Sequence, residues 1–278
     1  MMLHLRESFA EVARTQELVS TGIRVSKPSV DPAAANQIMR LEHSLRTYEQ
    51  FRRNSGAAQV RLTTQESVLN QLGDLLLRGK EIATAQGSDN SSANTRISAA
   101  IEVDRILEQV SQLGNTRVGS EFFFGGGMTT TPPFVSGAYV GDDTVRQIRI
   151  SDEVIVDANL TGRQLLVDSD VLSSLTELRD ALLSGSGGPI QDTIAKLDQA
   201  YTNADRHLAA TGASFRQLES LATTRDNLEF DATAAQSDLR DVPFEEATTQ
   251  FLSAQTVLEA ARAAASRILN TTLTEFLR

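Results

Sequence analysis

Apolar residues recur at Leu5, Phe9, Val12, Val19 and Ile23, with polar Gln16 standing in the missing seam position. That spacing follows the 3.5-residue repeat of a coiled-coil stripe rather than the alternation of a strand. Thr21-Gly22 ends this first predicted helix, and Pro28-Ser29-Val30-Asp31-Pro32 forbids helix across the connection. Asp31, followed by Pro32 and a run of alanines, reads as the N-cap of a second helix with proline in its first turn. The second helix runs to about Thr84 on a seam that includes Ile38, Leu45, Phe51, Leu62, Leu69 and Leu76. At 1.5 Å per residue it is a rod of roughly 70 Å, far longer than an ordinary globular helix. Gly87–Ser92 reads as a turn, and Ala93–Gly114 as a third helix on Ile97, Ile101, Val103, Leu107 and Val110.

The middle of the chain differs in kind. Phe122-Phe123-Phe124-Gly125-Gly126-Gly127 and Thr131-Pro132-Pro133-Phe134 break the helical period. Gln147–Ile150, Glu153–Val156 and Gln164–Val167 are strand candidates by alternation and β-branching. Asp170–Leu183 reads as a short helix and Ser184–Pro189 as a flexible linker. Residues 190–240 restore the long-helix pattern, and Asp241-Val242-Pro243 restarts a helix on Phe244, Ala247, Phe251, Ala254, Leu258, Ala261, Ala265 and Ile268. That stripe continues into Leu269, Leu273 and Phe276. The predicted fold class is mainly α: an elongated bundle of long coiled-coil-like helices from the N- and C-terminal regions, with a small β-rich inserted domain. The boundaries read 1–127 for the N-terminal part of the rod, 128–167 for the β-rich outer domain and 168–278 for the C-terminal part. Residues 1–20 and 244–278 form terminal assembly helices.

Composition removes most chemistry. The chain of 278 residues has no Cys, which excludes a disulfide framework, a thiolate metal site and a Cys nucleophile. His4, His43 and His207 are scattered, and no run approaches the roughly 20 apolar residues that span a bilayer. A net charge of −10 argues against general affinity for nucleic acid or anionic membrane. Gly125-Gly126-Gly127 lacks the Lys and Ser/Thr of a phosphate loop, and Gly141-Asp142-Asp143 reads as a solvated turn rather than a metal pair. No catalytic, metal or cofactor site is expected. Charge is nevertheless lopsided: residues 1–64 carry nine basic residues against six acids, whereas 226–246 carry seven acids against Arg240 alone. Either these are solvated helix faces, or the chain ends meet, within or between subunits, through complementary charge.

An amphipathic helix needs a partner, so the apolar positions of the two terminal helices are the candidate functional residues. They are Phe9, Val12, Val19 and Ile23 at one end, and Phe244, Phe251, Leu258, Ile268, Leu269, Leu273 and Phe276 at the other. They complete one intramolecular bundle or order when subunits stack. On the subunit-interface reading, Phe251→Asp or Leu258→Asp abolishes incorporation and leaves the monomer folded.

Ser20-Thr21-Gly22-Ile23-Arg24-Val25-Ser26-Lys27-Pro28-Ser29-Val30-Asp31-Pro32-Ala33-Ala34-Ala35 resembles the signature after the first helix of the flagellin superfamily. Lys27-Pro28-Ser29 leans to its hook–filament junction branch. Asn115-Thr116-Arg117-Val118-Gly119, Phe123-Phe124-Gly125-Gly126, Tyr139-Val140-Gly141-Asp142, Asn159-Leu160-Thr161-Gly162 and Leu239-Arg240-Asp241-Val242-Pro243-Phe244 are similar to further landmarks in the family's order. The first segment starts later than that pattern. The resemblance implies a structural subunit, not an enzyme, exported unfolded through the flagellar channel to the outside of the cell. It implies terminal helices packed around a channel, self-association in a ring, and contact with the other hook-associated junction protein and with flagellin. It also implies an export chaperone on the C-terminal helix. The alternatives are a flagellin that forms the filament itself, and a helical binding module unrelated to flagella.

Overall fold

The computed structural model describes residues 2–88, 91–185 and 187–276, and the side chains of 3–88, 91–185 and 187–266. Among the described residues six α-helices dominate: α1 (Met2–Thr21), α2 (Pro32–Gln86), α3 (Ala93–Gly114), α4 (Val171–Ser184), α5 (Gly187–Arg240) and α6 (Phe244–Phe276). Three antiparallel strand pairs lie between α3 and α4: β1 (Arg117–Val118) with β2 (Glu121–Phe122), β3 (Phe134–Val135) with β4 (Ala138–Tyr139), and β5 (Gln147–Arg149) with β6 (Ile155–Asp157). The chain forms two compact units, Met1–Tyr48 with Asp226–Arg278, and Glu49–Arg225.

In the larger unit, α2, α3, α4 and α5 share one apolar core on Leu69, Leu72, Leu76, Val103, Leu175 and Leu197. The α3 seam differs from its expected course. Ile97 and Ile101 are exposed, and Arg96, Ala99, Ala100, Val103 and Ile106 face inwards. The buried Arg96 guanidinium explains the rotation, because it donates to the carbonyls of Gly185 and Ser88 (2.9 Å) and so holds both flanking turns. Ser92 caps the helix by accepting from Thr95 N–H at 3.2 Å.

The region after α3 is held to the helices by backbone substitutes. Asn115 both donates to the Phe134 carbonyl and accepts from its N–H, at 2.9 Å each, like one more residue of a ladder. Phe134 reaches the helix end because Gly114 has no side chain; a Cβ there would lie 2.5 Å from the ring. Phe123 and Phe124 are fully buried and meet edge to face at 4.7 Å. Arg61 lies over Phe123 at 4.7 Å, with burial pulling its pKa below that of a free guanidinium. Gln164–Val167, expected as a strand, is instead a π-helical turn over Arg163–Val167 whose Leu165 and Leu166 enter the core. Two apolar neighbours on a wide turn both face inwards, which a strand forbids. Nor is Ser184–Pro189 all linker: Gly187-Gly188-Pro189 open α5, where a proline loses no helical hydrogen bond.

A polar chain crosses this unit. Leu160 N–H donates to buried Gln65 Oε1 at 2.8 Å, and Gln65 Nε2 donates to Thr211 Oγ1 at 2.7 Å, tying the loop before the π-turn to α2 and α5. Gln65→Leu strands the Leu160 N–H in the interior. We expect a loss of about 1–3 kcal/mol, read as a lower urea midpoint with the slope unchanged; an unmoved midpoint contradicts the role of this link.

Candidate assembly site

The two helix breaks of the smaller unit are built to satisfy each other. Gly22, at φ +69°, stops α1 in the left-handed conformation that glycine adopts freely, with its N–H on the Leu18 carbonyl at 2.8 Å. The chain then runs extended against the break between α5 and α6. Val242 N–H donates to the Gly22 carbonyl (2.9 Å), and the N–H groups of Arg24 and Val25 donate to the Arg240 carbonyl (2.7 and 3.2 Å). Ile23 and Asp241 form an antiparallel bridge. Arg24 Nη2 adds a bond to the Leu239 carbonyl at 2.7 Å. Asp31 Oδ1 accepts from Ala33 and Ala34 N–H (3.1 and 3.0 Å), confirming the predicted cap of α2.

From this joint α1 and α6 run antiparallel, with Leu18 packed beside Val242 and Ala247, and Phe9 reaching Arg262 farther along. The α6 stripe holds from Ala247 to Ala265 but not at its expected first member, Phe244: Ala247, Ala254 and Leu258 are buried, and Phe251, Ala261 and Ala265 are half-buried. The α1 stripe is shifted. Gln16 is exposed, and the buried positions are Thr15 and Leu18. Thr15 tolerates burial because its hydroxyl donates to the Glu11 carbonyl at 2.9 Å within its own helix. A search for apolar residues alone passes over it. The steps Leu5, Ser8, Val12, Thr15, Leu18 were available to a reading that admits Ser and Thr at a close helix seam.

Val12 and Val19 are half-buried along this seam, and Ile23 is half-buried at the joint. Phe9 remains 44% exposed, its ring covered on one face by Arg262 at 4.7 Å. Phe244 is 66% exposed and takes no part in the seam. Leu258, by contrast, is buried in it, so Leu258→Asp attacks the fold of the monomer and is no clean probe of assembly. The side chains of Ile268, Leu269, Leu273 and Phe276 lie outside the described residues. Among those residues no group of three or more His, Cys, Asp or Glu could hold a metal ion, and no helix is long and apolar enough to cross a membrane. The paired acids Asp142 and Asp143 serve structure. Asp142 accepts from Gly127 and Thr144 N–H (2.7 and 2.9 Å), which holds its carboxyl below the usual range, and Asp143 pairs with Arg163 at 2.9 Å.

The two terminal helices thus meet along an apolar-and-alanine seam closed at one end by a backbone bridge. Residues 1–127 match the bacterial flagellin N-terminal helical region, and residues 194–277 match the bacterial flagellin C-terminal helical region. Flagellar hook-associated protein 3 of Escherichia coli (strain K12) is 26% identical over 93% of this chain and 90% of its own length. The fold is shared with the crystal structure of FlgL from Bacillus cereus (TM-score 0.63, 22% identity, 71% of this chain and 99% of that one). It is shared too with the flagellar junction protein FlgL from Legionella pneumophila (TM-score 0.62, 16% identity, 74% of this chain and 100% of that one). The chain belongs to the flagellin superfamily, as a member of its hook-associated protein 3 type. It is a structural subunit of the flagellum, from a family of structural proteins and not of enzymes.

The seam makes a direct energetic claim. Leu258→Ala removes a buried side chain from a two-helix contact and costs about 2–3 kcal/mol, whereas Leu252→Ala, on the exposed face of α6, stays within about 0.5 kcal/mol. Urea unfolding followed by circular dichroism checks both; equal midpoints for the two variants contradict the seam.

Proposed function

We propose that this protein joins the flagellar hook to the filament, forming a ring in which its terminal helices pack against copies of itself. On this reading another hook-associated protein lies on one side of the ring and flagellin on the other. The observation that carries it is the match to a hook-associated protein 3 along 93% of the chain, spanning the middle region as well as the two helical ends. Phe9, Val12, Val19, Ile23, Phe244, Phe251, Leu258, Ile268, Leu269, Leu273 and Phe276 are the residues proposed for the assembly surface. They act in two ways: Leu258 shapes the α1–α6 pair, and Phe244 and Phe9 offer apolar surface outwards. Residues 128–167 form the outward-facing part.

A junction of this kind works by geometry. It needs rigid subunits with two unlike surfaces and no reacting group. Delivery through the flagellar export channel requires an unfolded chain, and a sequence without Cys carries no disulfide to obstruct that passage. A chaperone on the C-terminal helix would cover an apolar seam that is unpartnered until α1 and α6 meet.

Deletion of the gene in the source bacterium tests the proposal. The expected result is hooks without filaments, with unassembled flagellin shed into the medium and filaments restored by the wild-type chain. Loss of flagellin itself from the medium would make this chain the filament subunit, and unchanged filaments would overturn the junction role.

A further inference from the structure

The loop after α1 and the start of α2 leave an apolar groove uncovered on the smaller unit. Val25, Ile38 and Met39 line it together with Lys27, Glu42 and Arg240. Val25 and Ile38 belong to a small buried cluster, yet Met39 is 50% exposed. Glu42 is already engaged, accepting from Gln236 at 3.4 Å and lying 3.9 Å from Arg46. Lys27 and Arg240 form no ion pair among the described residues. The groove is therefore an apolar strip carrying two cations that lack a counter-charge.

The same unit presents the opposite form. Phe244 stands exposed at the first position of α6, followed at once by Glu245 and Glu246. Neither carboxylate forms an ion pair among the described residues, and Glu246 accepts from Gln250 of its own helix at 3.2 Å. An aromatic knob beside two carboxylates matches an apolar groove beside two cations, both in apolar area and in sign.

We propose that Phe244 of one copy of this chain docks in the Val25–Ile38–Met39 groove of the next, with Glu245 and Glu246 meeting Lys27 and Arg240. A second copy is the occupant because every chain carries both halves, and its own Phe244, exposed to solvent, does not fill its own groove. Knob and groove are different surfaces, so the contact is heterologous. Repeated in one sense it builds a ring or helical series, whereas two copies that exchanged knobs would close as a two-fold dimer, and cross-linking that stops at dimer overturns the proposal. Phe230 is more exposed still, but of the two acids beside it Glu229 is already engaged, which leaves Asp231 alone against the pair that flanks Phe244. The inference rests on the assembly reading above and specifies its contact.

The absence of Cys gives a clean background for cross-linking. Lys27→Cys and Glu245→Cys, both at exposed positions, are combined in a chain supplied as the sole copy in the source bacterium. Flagella are treated with a short bis-maleimide and the chain is followed by immunoblot. The expected result is a ladder of dimer and higher multiples from the double variant and monomer from either single variant. Adding Phe244→Ala to the double variant cuts the ladder several-fold, whereas adding Phe230→Ala leaves it. Dimer from Glu245→Cys alone means a self-complementary contact and overturns the proposal. A double variant present in flagella as monomer overturns it too while leaving the junction role intact; a wild-type chain absent from flagella overturns the junction role and this contact with it.

Discussion

Backbone groups left over where helices stop must find partners, and in the terminal unit they find each other. α1 ends at Thr21 and α5 ends at Arg240, and each break exposes N–H and carbonyl groups that the helices no longer use. The bonds between residues 22–25 and 239–242 pair the two sets across more than 200 positions of sequence. Everything else in that unit follows from this joint. It fixes where α6 begins beside α1, and hence the register in which Ala247 meets Leu18 and Arg262 covers Phe9. Asp31 lies 3.9 Å from Arg24 and caps α2, so the loop between α1 and α2 is bound to the same joint.

The larger unit solves a related problem by other means. Its irregular middle is long, and three short strand pairs cannot anchor it by themselves. Side-chain amides do so, with Asn115 acting as an extra ladder rung and Gln65 bridging a loop N–H to a helix hydroxyl. Two buried guanidiniums add to this: Arg96 holds the turns at one end of the core, and Arg61 packs on Phe123. Buried polar groups are costly unless paired, so the fully bonded amides of Asn115 and Gln65 favour one arrangement where apolar packing would tolerate several.

Much of this was legible in the residues. Repeats of three and four marked all the long helices, and the α6 stripe was right residue by residue from Ala247 to Ala265. The Asp31 cap and the end of α1 at Gly22 followed from backbone chemistry alone. Reading failed where a polar residue took an inward position. Thr15 replaced Gln16 in the α1 seam, and Arg96 turned Ile97 and Ile101 outwards. It failed again at Arg163–Val167, where β-like composition folded as a π-turn.

The sequence by itself determined the periodic elements and where they break, because helical period, capping and proline act within a few residues of the chain. It also determined the absence of cysteine chemistry, and its ordered motifs pointed to the family. Only the tertiary structure decided which polar side chains are buried, since a threonine or an arginine enters a core when a carbonyl there accepts its hydrogen. It alone separated Leu258, which holds the monomer together, from Phe244, which faces outwards, although both stand in one apolar register on α6. Period states that a face is apolar; the neighbour that covers part of it comes from the far end of the chain.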